Sequence, residues 1–267
     1  MRTAFAVLLA ALAVVGVGAA ARDHRPAPFG DAVAVHRTAL AAGPGTLRLG
    51  AADSVRFTAD AATGPGATLW SYRRPGSRPV RLFPLAGGIT VAVWDDGMLT
   101  GIRTGGDTGG DPGDTGDGPV VGWHRFVPGL ADWLRRPTGL GPLLVPLDHG
   151  GSFLLPTPDL VMSYTSADGS IRTDTLPPRG CAYDPARTLV QPGGPVLLPR
   201  PCRAHSTVEA FGPDGRLWQA PAGPLARPVA AGPGAVGVLD VPLLRPRLLS
   251  RDTGRPLPLT VGPRPPR

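Results

Sequence analysis

The stretch FTADAATGPGATLW, residues Phe57–Trp70, joins a short run of alternating apolar and polar side chains to an Asp, a Thr-Gly pair and a Trp. Alternation of this kind is typical of a half-buried strand, and Gly readily takes the positive φ that many tight turns need. Asp60, Thr63 and Gly64 therefore predict a hairpin turn, followed by a strand that contains Trp70. If the same turn recurs at a fixed spacing, it defines the fold.

Similar turns do recur along the chain. The Gly residues that end successive turns, Gly64, Gly106, Gly169, Gly215 and Gly254, are separated by 42, 63, 46 and 39 residues. Three of these four spacings match the roughly 40–50 residues of a four-stranded propeller blade. The repeats predict an all-β fold, a β-propeller of about five to six degenerate four-stranded blades, with Trp70 and Trp218 packed between blades. The repeat residues are Asp60, Thr63, Gly64, Trp70, Asp96, Gly97, Asp168, Gly169, Asp214, Gly215, Trp218, Thr253 and Gly254.

Glycine and proline punctuate the whole chain, with 38 and 34 of its 267 residues. Both residues destabilise the interior of a helix, so the composition excludes long helices and favours short strands joined by tight turns. A length of this order is ordinary for one all-β domain.

The net charge is +7, and all 27 basic residues are Arg. Such a charge could attract anionic lipid, cell-wall polymer or nucleic acid. The denser groups, at 73–81 and 245–255, are interrupted by Pro and turn residues. No aromatic-rich RNA-binding signature accompanies them, so we expect solvated surface charge and no nucleic-acid partner.

The N-terminal residues differ from the rest of the chain. Ala4–Ala21 is an uncharged apolar run of 18 residues that follows Arg2, which is the pattern of an export signal. Ala19–Ala21 supplies small residues for cleavage, whereas the length of the run approaches that of a membrane-spanning helix. Residues 1–21 are therefore predicted to be a signal peptide or an N-terminal membrane-anchoring helix, with the anchor preferred. In both cases the remainder lies outside the cytoplasm, anchored or, after cleavage near Ala21, secreted.

An acidic, glycine-rich insertion explains the one long spacing between turns. Asp107, Asp111, Asp114 and Asp117 lie within it, four, three and three residues apart. Calcium loops of the Asp-x-Asp-x-Asp-Gly kind place ligands at every second residue, so a solvated loop is favoured and calcium binding stays open. The predicted divisions are the leader at 1–21, a linker and lead-in at 22–45, the propeller at 46–260 with the insertion at 106–118, and a Pro/Arg-rich tail at 261–267.

These motifs resemble a known family. Thr58–Gly64 followed by Trp70 resembles the PQQ-like β-propeller repeat, in which a strand leads into Asp-x-x-Thr-Gly, a short spacer and Trp. Gly87–Leu99 is similar to the other half of that repeat, and Asp214–Trp218 also resembles part of it. The segment 180–202 is similar to a disulfide-bearing part of membrane-anchored actinobacterial members.

The resemblance implies a propeller over roughly residues 50 to 260. BamB-like members of this family act as interaction scaffolds in envelope assembly, whereas its quinoprotein dehydrogenases hold PQQ and calcium with acidic and amide side chains. Those dehydrogenases also commonly have two adjacent cysteines beside the quinone. This chain has no Asn, Glu209 is its only Glu, and its two cysteines are 21 positions apart. We therefore expect no cofactor.

Other catalytic motifs are equally weak. Residues 148–152, Asp-His-Gly-Gly-Ser, resemble a hydrolase oxyanion loop, but no Gly-x-Ser-x-Gly nucleophile motif occurs. A glycine turn with a solvated His149 is the favoured interpretation. The five His residues are isolated, without the spacing of a metal site.

The sequence thus predicts a non-catalytic, monomeric, extracytoplasmic propeller that binds a protein or another envelope component as a scaffold. The alternative function is a small-ligand-binding or quinoprotein-like, PQQ-dependent oxidoreductase. Fold alone does not decide between them.

Cys181 and Cys202 are the two cysteines of the chain, and both follow the export signal. Oxidising compartments favour pairing, and the residues between them read as two short strands around a Pro-Gly-Gly turn. A disulfide would then close the open end of this hairpin. Two buried free thiols are the alternative that the sequence leaves open.

Overall fold

Five antiparallel sheets of four strands each make up the described part of the protein. The computed structural model describes residues 30–36, 45–50, 53–59, 67–104, 119–136, 144–191, 193–240 and 245–258. Over these residues the chain forms a β-propeller, as predicted, and its five sheets are the blades. The predicted leader helix at 1–21 and the acidic insertion at 106–118 lie outside the described residues. No helix within the described residues has the length and apolar character needed to cross a membrane.

The strands are short and their bounds are as follows: β1 (Ala32–Val35), β2 (Gly45–Leu49), β3 (Ser54–Ala59), β4 (Thr68–Arg73), β5 (Pro79–Pro84), β6 (Ile89–Trp94), β7 (Met98–Arg103), β8 (Val120–Phe126), β9 (Val145–Leu147), β10 (Ser152–Pro156), β11 (Val161–Thr165), β12 (Ile171–Thr175), β13 (Leu189–Val190), β14 (Val196–Arg200), β15 (Thr207–Gly212), β16 (Gly215–Pro221), β17 (Arg227–Ala230), β18 (Ala235–Asp240), β19 (Arg245–Ser250) and β20 (Pro256–Leu257). One short helix, α1 (Leu130–Leu134), follows β8, and 3₁₀ turns occur at Asp148–Gly150 and Pro185–Arg187.

Blades 2 to 5 are simple meanders, formed by β5–β8, β9–β12, β13–β16 and β17–β20. Blade 1 has the order β1-β4-β3-β2, so the first strand of the chain pairs with β4 on the side away from β3. Strand β1 lies within the 22–45 segment that the sequence suggested as linker and lead-in.

Buried apolar clusters fill the spaces between successive blades. Strand β6 shows how one strand serves two of them, because its side chains alternate between faces. Val91 and Val93 belong to the cluster between blades 2 and 3, whereas Ala92 and Trp94 belong to the cluster between blades 1 and 2. Two further clusters join blade 3 to 4 and blade 4 to 5. Among the described residues, no buried cluster joins the fifth blade to the first.

Tryptophans of outer strands reach the turn of the next blade. Trp218 of β16 donates from Nε1 to the carbonyl of Arg251 at 2.8 Å, beside Gly254, whose φ is +65°. Trp123 of β8 makes the same contact with the Ser166 carbonyl at 3.0 Å, beside Gly169. In both cases the carbonyl precedes the Gly by three residues, so the contact is a repeated feature of the propeller.

The cysteine prediction is confirmed. Cys181 and Cys202 form a disulfide with an S–S distance of 2.04 Å and pair as an isolated antiparallel bridge. Between them, β13 and β14 form the predicted hairpin, with Gly193 at a φ of +64° in its turn. The bond therefore closes the open end of this hairpin.

A buried ionic pair lies within blade 4. Arg200 Nε is 2.9 Å from Glu209 Oε1, and side-chain exposures are 8% and 0%. Tyr183 donates a hydrogen bond to Glu209 Oε2 at 3.2 Å. Burial and the neighbouring Glu209 raise the pKa of Tyr183, which therefore stays protonated as the donor.

A second polar cluster ties β1 to two blades at once. The Asp31 carboxylate accepts from the Tyr72 hydroxyl at 2.7 Å and also contacts His124 of β8 and Arg74. Arg74 in turn pairs with Asp96 at 2.9 Å. Burial and the bond to Asp31 raise the pKa of Tyr72. The residue that precedes β1 is thus held by side chains of both blade 1 and blade 2.

Candidate functional site

Loops from blades 2 to 5 converge on a cavity of about 630 Å³, here called the loop cavity. The connections β5–β6, β9–β10 and β13–β14 line it, together with the turns β15–β16 and β19–β20. All of these connections lie at the same end of their blades. Cavities of this size on a rigid scaffold are the usual sites of ligand or peptide binding.

The connection β9–β10 contributes the most unusual backbone. Asp148 and His149 have φ values of +46° and +52°, and they are the non-Gly residues with positive φ in the described part of the chain. Such conformations cost energy and concentrate at functional sites. Gly150 packs against Ala86 so closely that an added Cβ would lie 2.6 Å from the Ala86 Cβ and backbone N. Blade 2 therefore helps to hold this turn in place.

The side chains of this turn differ in their contacts. Asp148 Oδ2 accepts a hydrogen bond from Ser152 Oγ at 3.1 Å and lies 3.6 Å from Arg172 Nη1. His149 is exposed and lines the loop cavity. The sequence interpretation of a glycine turn with a solvated His149 agrees with this geometry.

Other polar groups approach the cavity from blades 4 and 5. Gln191 lines the cavity, and its Oε1 is buried without a hydrogen-bond donor among the described residues. Arg251 and Asp252 lie across from it, with Arg251 Nε 3.3 Å from Asp252 Oδ1. Pro84, Pro146 and Leu147 supply much of the apolar lining. The cavity thus combines apolar surface with donors and acceptors of both charges.

The Asp-His-Gly-Gly-Ser segment is not arranged as a nucleophile and its base. Ser152 donates to Asp148 and is fully buried, so its hydroxyl does not open into the cavity. His149 makes no hydrogen bond to either residue in the described structure. Nucleophilic hydrolysis needs a Ser–His pair in which the His takes the proton. The motif resemblance at 148–152 is therefore not matched by a Ser–His pair.

The predicted blade residues form turns between paired strands. Gly97, Gly169, Gly215 and Gly254 all have positive φ, at +86°, +64°, +105° and +65°. Their Asp neighbours mostly cap these turns or pair with Arg. Asp168, for example, accepts from the Ser170 amide, which lowers its pKa. Thr253 Oγ1 lies 3.4 Å from the Arg255 amide.

The blade residues therefore build the scaffold, and none of the turn residues among them lines the loop cavity. Trp70 and Trp218 lie in the clusters between blades 1 and 2 and between blades 4 and 5. Asp214 contacts Arg172 at the rim of its turn. Asp60, Thr63 and Gly64 lie outside the described residues.

Sequence reasoning missed three polar residues of the cavity, and it missed Trp123, which packs between blades 2 and 3. Gln191 stands in a turn with no motif, and Arg251 and Asp252 directly precede the repeat turn at Thr253–Gly254. Only the fold brings the three residues together. Trp123 did carry a signal, since it follows the acidic insertion at the position where the repeat expects its Trp.

Among the described residues, no group of three or more His, Cys, Asp or Glu side chains could hold a metal ion. The four Asp residues of the acidic insertion lie outside that part of the chain, so calcium binding there stays an open prediction.

Comparison with known proteins gives distant likenesses. No family model matches the chain, and no curated protein matches it. Similar solved structures include BamB from Moraxella catarrhalis, at 18% identity and a TM-score of 0.40, covering 68% of this chain and 49% of that one. Sqt1 from Chaetomium thermophilum, bound to the N-terminus of ribosomal protein L10, is 14% identical with a TM-score of 0.43. The match covers 79% of this chain and 60% of that one.

The β-propeller domain of Cps50 (Swd1) from Myceliophteria thermophila gives 10% identity, a TM-score of 0.39, and coverages of 82% and 70%. In the BamB and Sqt1 comparisons the chain spans less than two thirds of the other structure's length. The architecture of five four-stranded antiparallel sheets, and not these distant likenesses, therefore establishes the chain as a β-propeller.

Proposed function

We propose that this chain is a non-catalytic, extracytoplasmic propeller of the PQQ-like repeat type that binds a partner protein at the loop cavity. The observation that carries the proposal is the cavity itself, where loops of four blades meet around the strained Asp148–His149 turn. A rigid scaffold that presents convergent loops is well suited to hold a segment of another protein.

The chemistry of the cavity supports a peptide as its occupant. A peptide backbone supplies both donors and acceptors, and the amide side chain of Gln191, which lines the cavity, can do the same. Arg251 and Asp252 can pair with side chains of either charge, while the prolines pack against apolar ones. Within the described lining, no nucleophilic side chain contacts a general base.

The proposed location rests on two features. Structural disulfides persist mainly in oxidising compartments, so the Cys181–Cys202 bond agrees with an exported protein. The apolar leader at 1–21 supplies the export signal, which we propose is retained as a membrane anchor.

Site-specific photo-crosslinking in the native host tests the binding site. A benzoylphenylalanine at position 149 is expected to give a discrete protein adduct, because His149 is exposed at the cavity. The matched control carries the same residue at Leu176, which is 70% exposed and lies at the opposite end of blade 3. Adding Arg251→Ala to the first variant should lower the yield of its adduct.

Adducts of the same proteins from both positions would indicate non-specific contact and contradict the proposal. The absence of any adduct at position 149, in protein that is exported and folded, would contradict it equally. An adduct confined to position 149 would identify the partner.

A further inference from the structure

The two faces of blade 1 differ in chemistry. One face carries Leu47, Val55, Phe57, Trp70 and Tyr72 and packs against blade 2. On the other face, strand register aligns only polar or small residues. This second face, here called the arginine face, consists of Thr46, Thr58 and Thr68, then Arg48, Arg56, Ser71 and Ala34, then Gly50, Ser54, Arg73 and Ala32.

Blade 2, which packs between blades 1 and 3, has no such polar face. In blade 2, both faces of strand β6 are apolar and fully packed, with Val91 and Val93 on one side and Ala92 and Trp94 on the other. A sheet face that is built of Arg, Ser and Thr is unsuited to pack against another apolar blade. Its composition favours a polar, charged ligand.

Two arginines of this face are direct cross-strand neighbours. Arg48 and Arg56 occupy paired positions on β2 and β3, where like charges destabilise a sheet. Both are exposed, and neither makes a hydrogen bond or ion pair with another described residue. Arg73 differs, because its Nη2 lies 2.6 Å from Asp53 Oδ2 and its hydrogen bonds lower the pKa of that carboxyl. Within the described part of the chain, the charges of Arg48 and Arg56 therefore have no acidic partner.

A groove of about 560 Å³ runs over the same face. Its lining includes Arg56, Arg73, Ser54, Thr68 and Ser71. His36 closes one end, with Nε2 2.8 Å from Ser71 Oγ. Asp53 also borders the groove, where Arg73 engages it. Guanidinium and hydroxyl donors around one groove are the set that proteins use to bind phosphate.

We propose that the arginine face binds the phosphate of an anionic lipid headgroup. Charge and donor set argue for phosphate, and connectivity argues for lipid, because Asp31 follows the predicted membrane segment by only ten residues. Ten extended residues reach about 35 Å at most, so an anchored leader would keep blade 1 close to the bilayer. This last step rests on the anchored location proposed above.

Isothermal titration calorimetry on the full chain in zwitterionic detergent micelles tests the assignment. Dihexanoyl phosphatidylglycerol is titrated in one arm, sodium phosphate in a second, and dihexanoyl phosphatidylcholine as the zwitterionic control. The variant is R48Q/R56Q. The matched control is R136Q/R203Q, which removes the same charge from two exposed positions elsewhere.

The native chain should bind phosphatidylglycerol saturably, and more tightly than phosphate or phosphatidylcholine. R48Q/R56Q should weaken that binding on the order of tenfold or more, since each Arg near an anionic surface contributes appreciably. R136Q/R203Q should change it by less than about threefold, and thermal unfolding should show all three proteins folded. Removal of two exposed, unpaired Arg residues leaves the core intact.

Equal weakening in both double variants would reduce the effect to net charge and overturn the proposal. Saturable binding of phosphate with no preference for the lipid would overturn the lipid assignment and identify a soluble phosphate ligand. No saturable binding in any arm would overturn the site itself. Because the titration needs no partner protein, its failure is distinguishable from failure of the crosslinking at position 149.

Discussion

The indole of Trp123 lies directly against Gly169 of the next blade. A Cβ placed on Gly169 would be 2.5 Å from the Trp123 ring, closer than real Cβ contacts allow. The same ring donates to the carbonyl of Ser166, three residues earlier. Blade 2 is thus fixed to blade 3 by a contact that needs both the Trp and the absence of a side chain.

Gly169→Ala should therefore destabilise the protein strongly. Positive φ alone costs Ala about 1 kcal/mol, and the clash with Trp123 adds about 1–3 kcal/mol. The control is Gly76→Ala, where φ is also positive at +79° but no atom lies within 4 Å of the added Cβ. Urea unfolding monitored by circular dichroism should separate the two variants, and equal losses would show that the ring contact contributes nothing.

Glu209→Gln should cost about 3–5 kcal/mol, because it leaves the buried Arg200 without its counter-charge. Replacing both partners, as Arg200→Met with Glu209→Leu, should cost less than the single change, since no charge is then buried alone. The measurement is the free energy of unfolding in urea at neutral pH. A double variant less stable than Glu209→Gln would contradict this account of the pair.

Asp96 should make stability depend on pH. Burial acts to raise the pKa of Asp96, but hydrogen bonds from Arg74, the Met98 amide and Ser77 outweigh it and lower the pKa. The contribution of Asp96 is therefore complete above the ordinary Asp pKa of about 3.9 and is lost as pH falls through the lower, folded value. Solvent screening at this half-exposed site limits it to about 1 kcal/mol.

Asp96→Asn should thus destabilise the protein at pH 7 and have little effect near pH 2. The control is Asp174→Asn, at an exposed position of β12. Thermal unfolding across this pH range gives the difference. A constant effect of Asp96→Asn from pH 7 to pH 2 would assign it to packing instead of charge.

The Cys181–Cys202 bond should contribute about 3 kcal/mol, from the loop that it closes in the unfolded chain. The variant Cys181→Ala with Cys202→Ala tests this by urea unfolding without reductant. Mass spectrometry of the non-reduced, alkylated protein from its own host should give one linked peptide pair. Two alkylated cysteines in exported protein would contradict the bond.

The purified protein should bind no PQQ and should show no dye-linked oxidation of alcohols or sugars, with or without added calcium. The reason is the missing ligand chemistry, since the chain has no Asn and Glu209 is buried against Arg200. Fluorescence titration with PQQ measures binding directly. Saturable binding or PQQ-dependent turnover would favour the oxidoreductase alternative.

Local sequence was sufficient to predict the fold, because each blade repeats the same chemistry. Turns such as Asp168–Gly169 need a residue that accepts positive φ, and the Gly that meets this requirement can be read directly from the sequence. Cys181 and Cys202 were also predictable, since only two cysteines were available to pair and a hairpin lay between them. The spacing of the turns therefore predicted the blades, and the two cysteines that flank a hairpin predicted the disulfide.

The loop cavity was not predictable by the same means. Gln191 and Arg251 belong to different blades, and no spacing in the sequence encodes their approach. The positive φ of His149 was hidden as well, because His tolerates that conformation only where surrounding packing imposes it. Asp31 and His124 meet across 93 positions for the same reason. Sites made where different blades meet become visible only when the blades are packed together.

The position of β1 determines how the protein would respond to a pulling force. Load applied to the N-terminal segment reaches Asp31 before it reaches the hydrogen bonds between β1 and β4. Asp31 contacts Tyr72 and Arg74 of the first blade region and His124 of the second blade, so tension spreads over two blades instead of peeling one edge strand. The first blade would thus resist a force that pulls on its N-terminal strand.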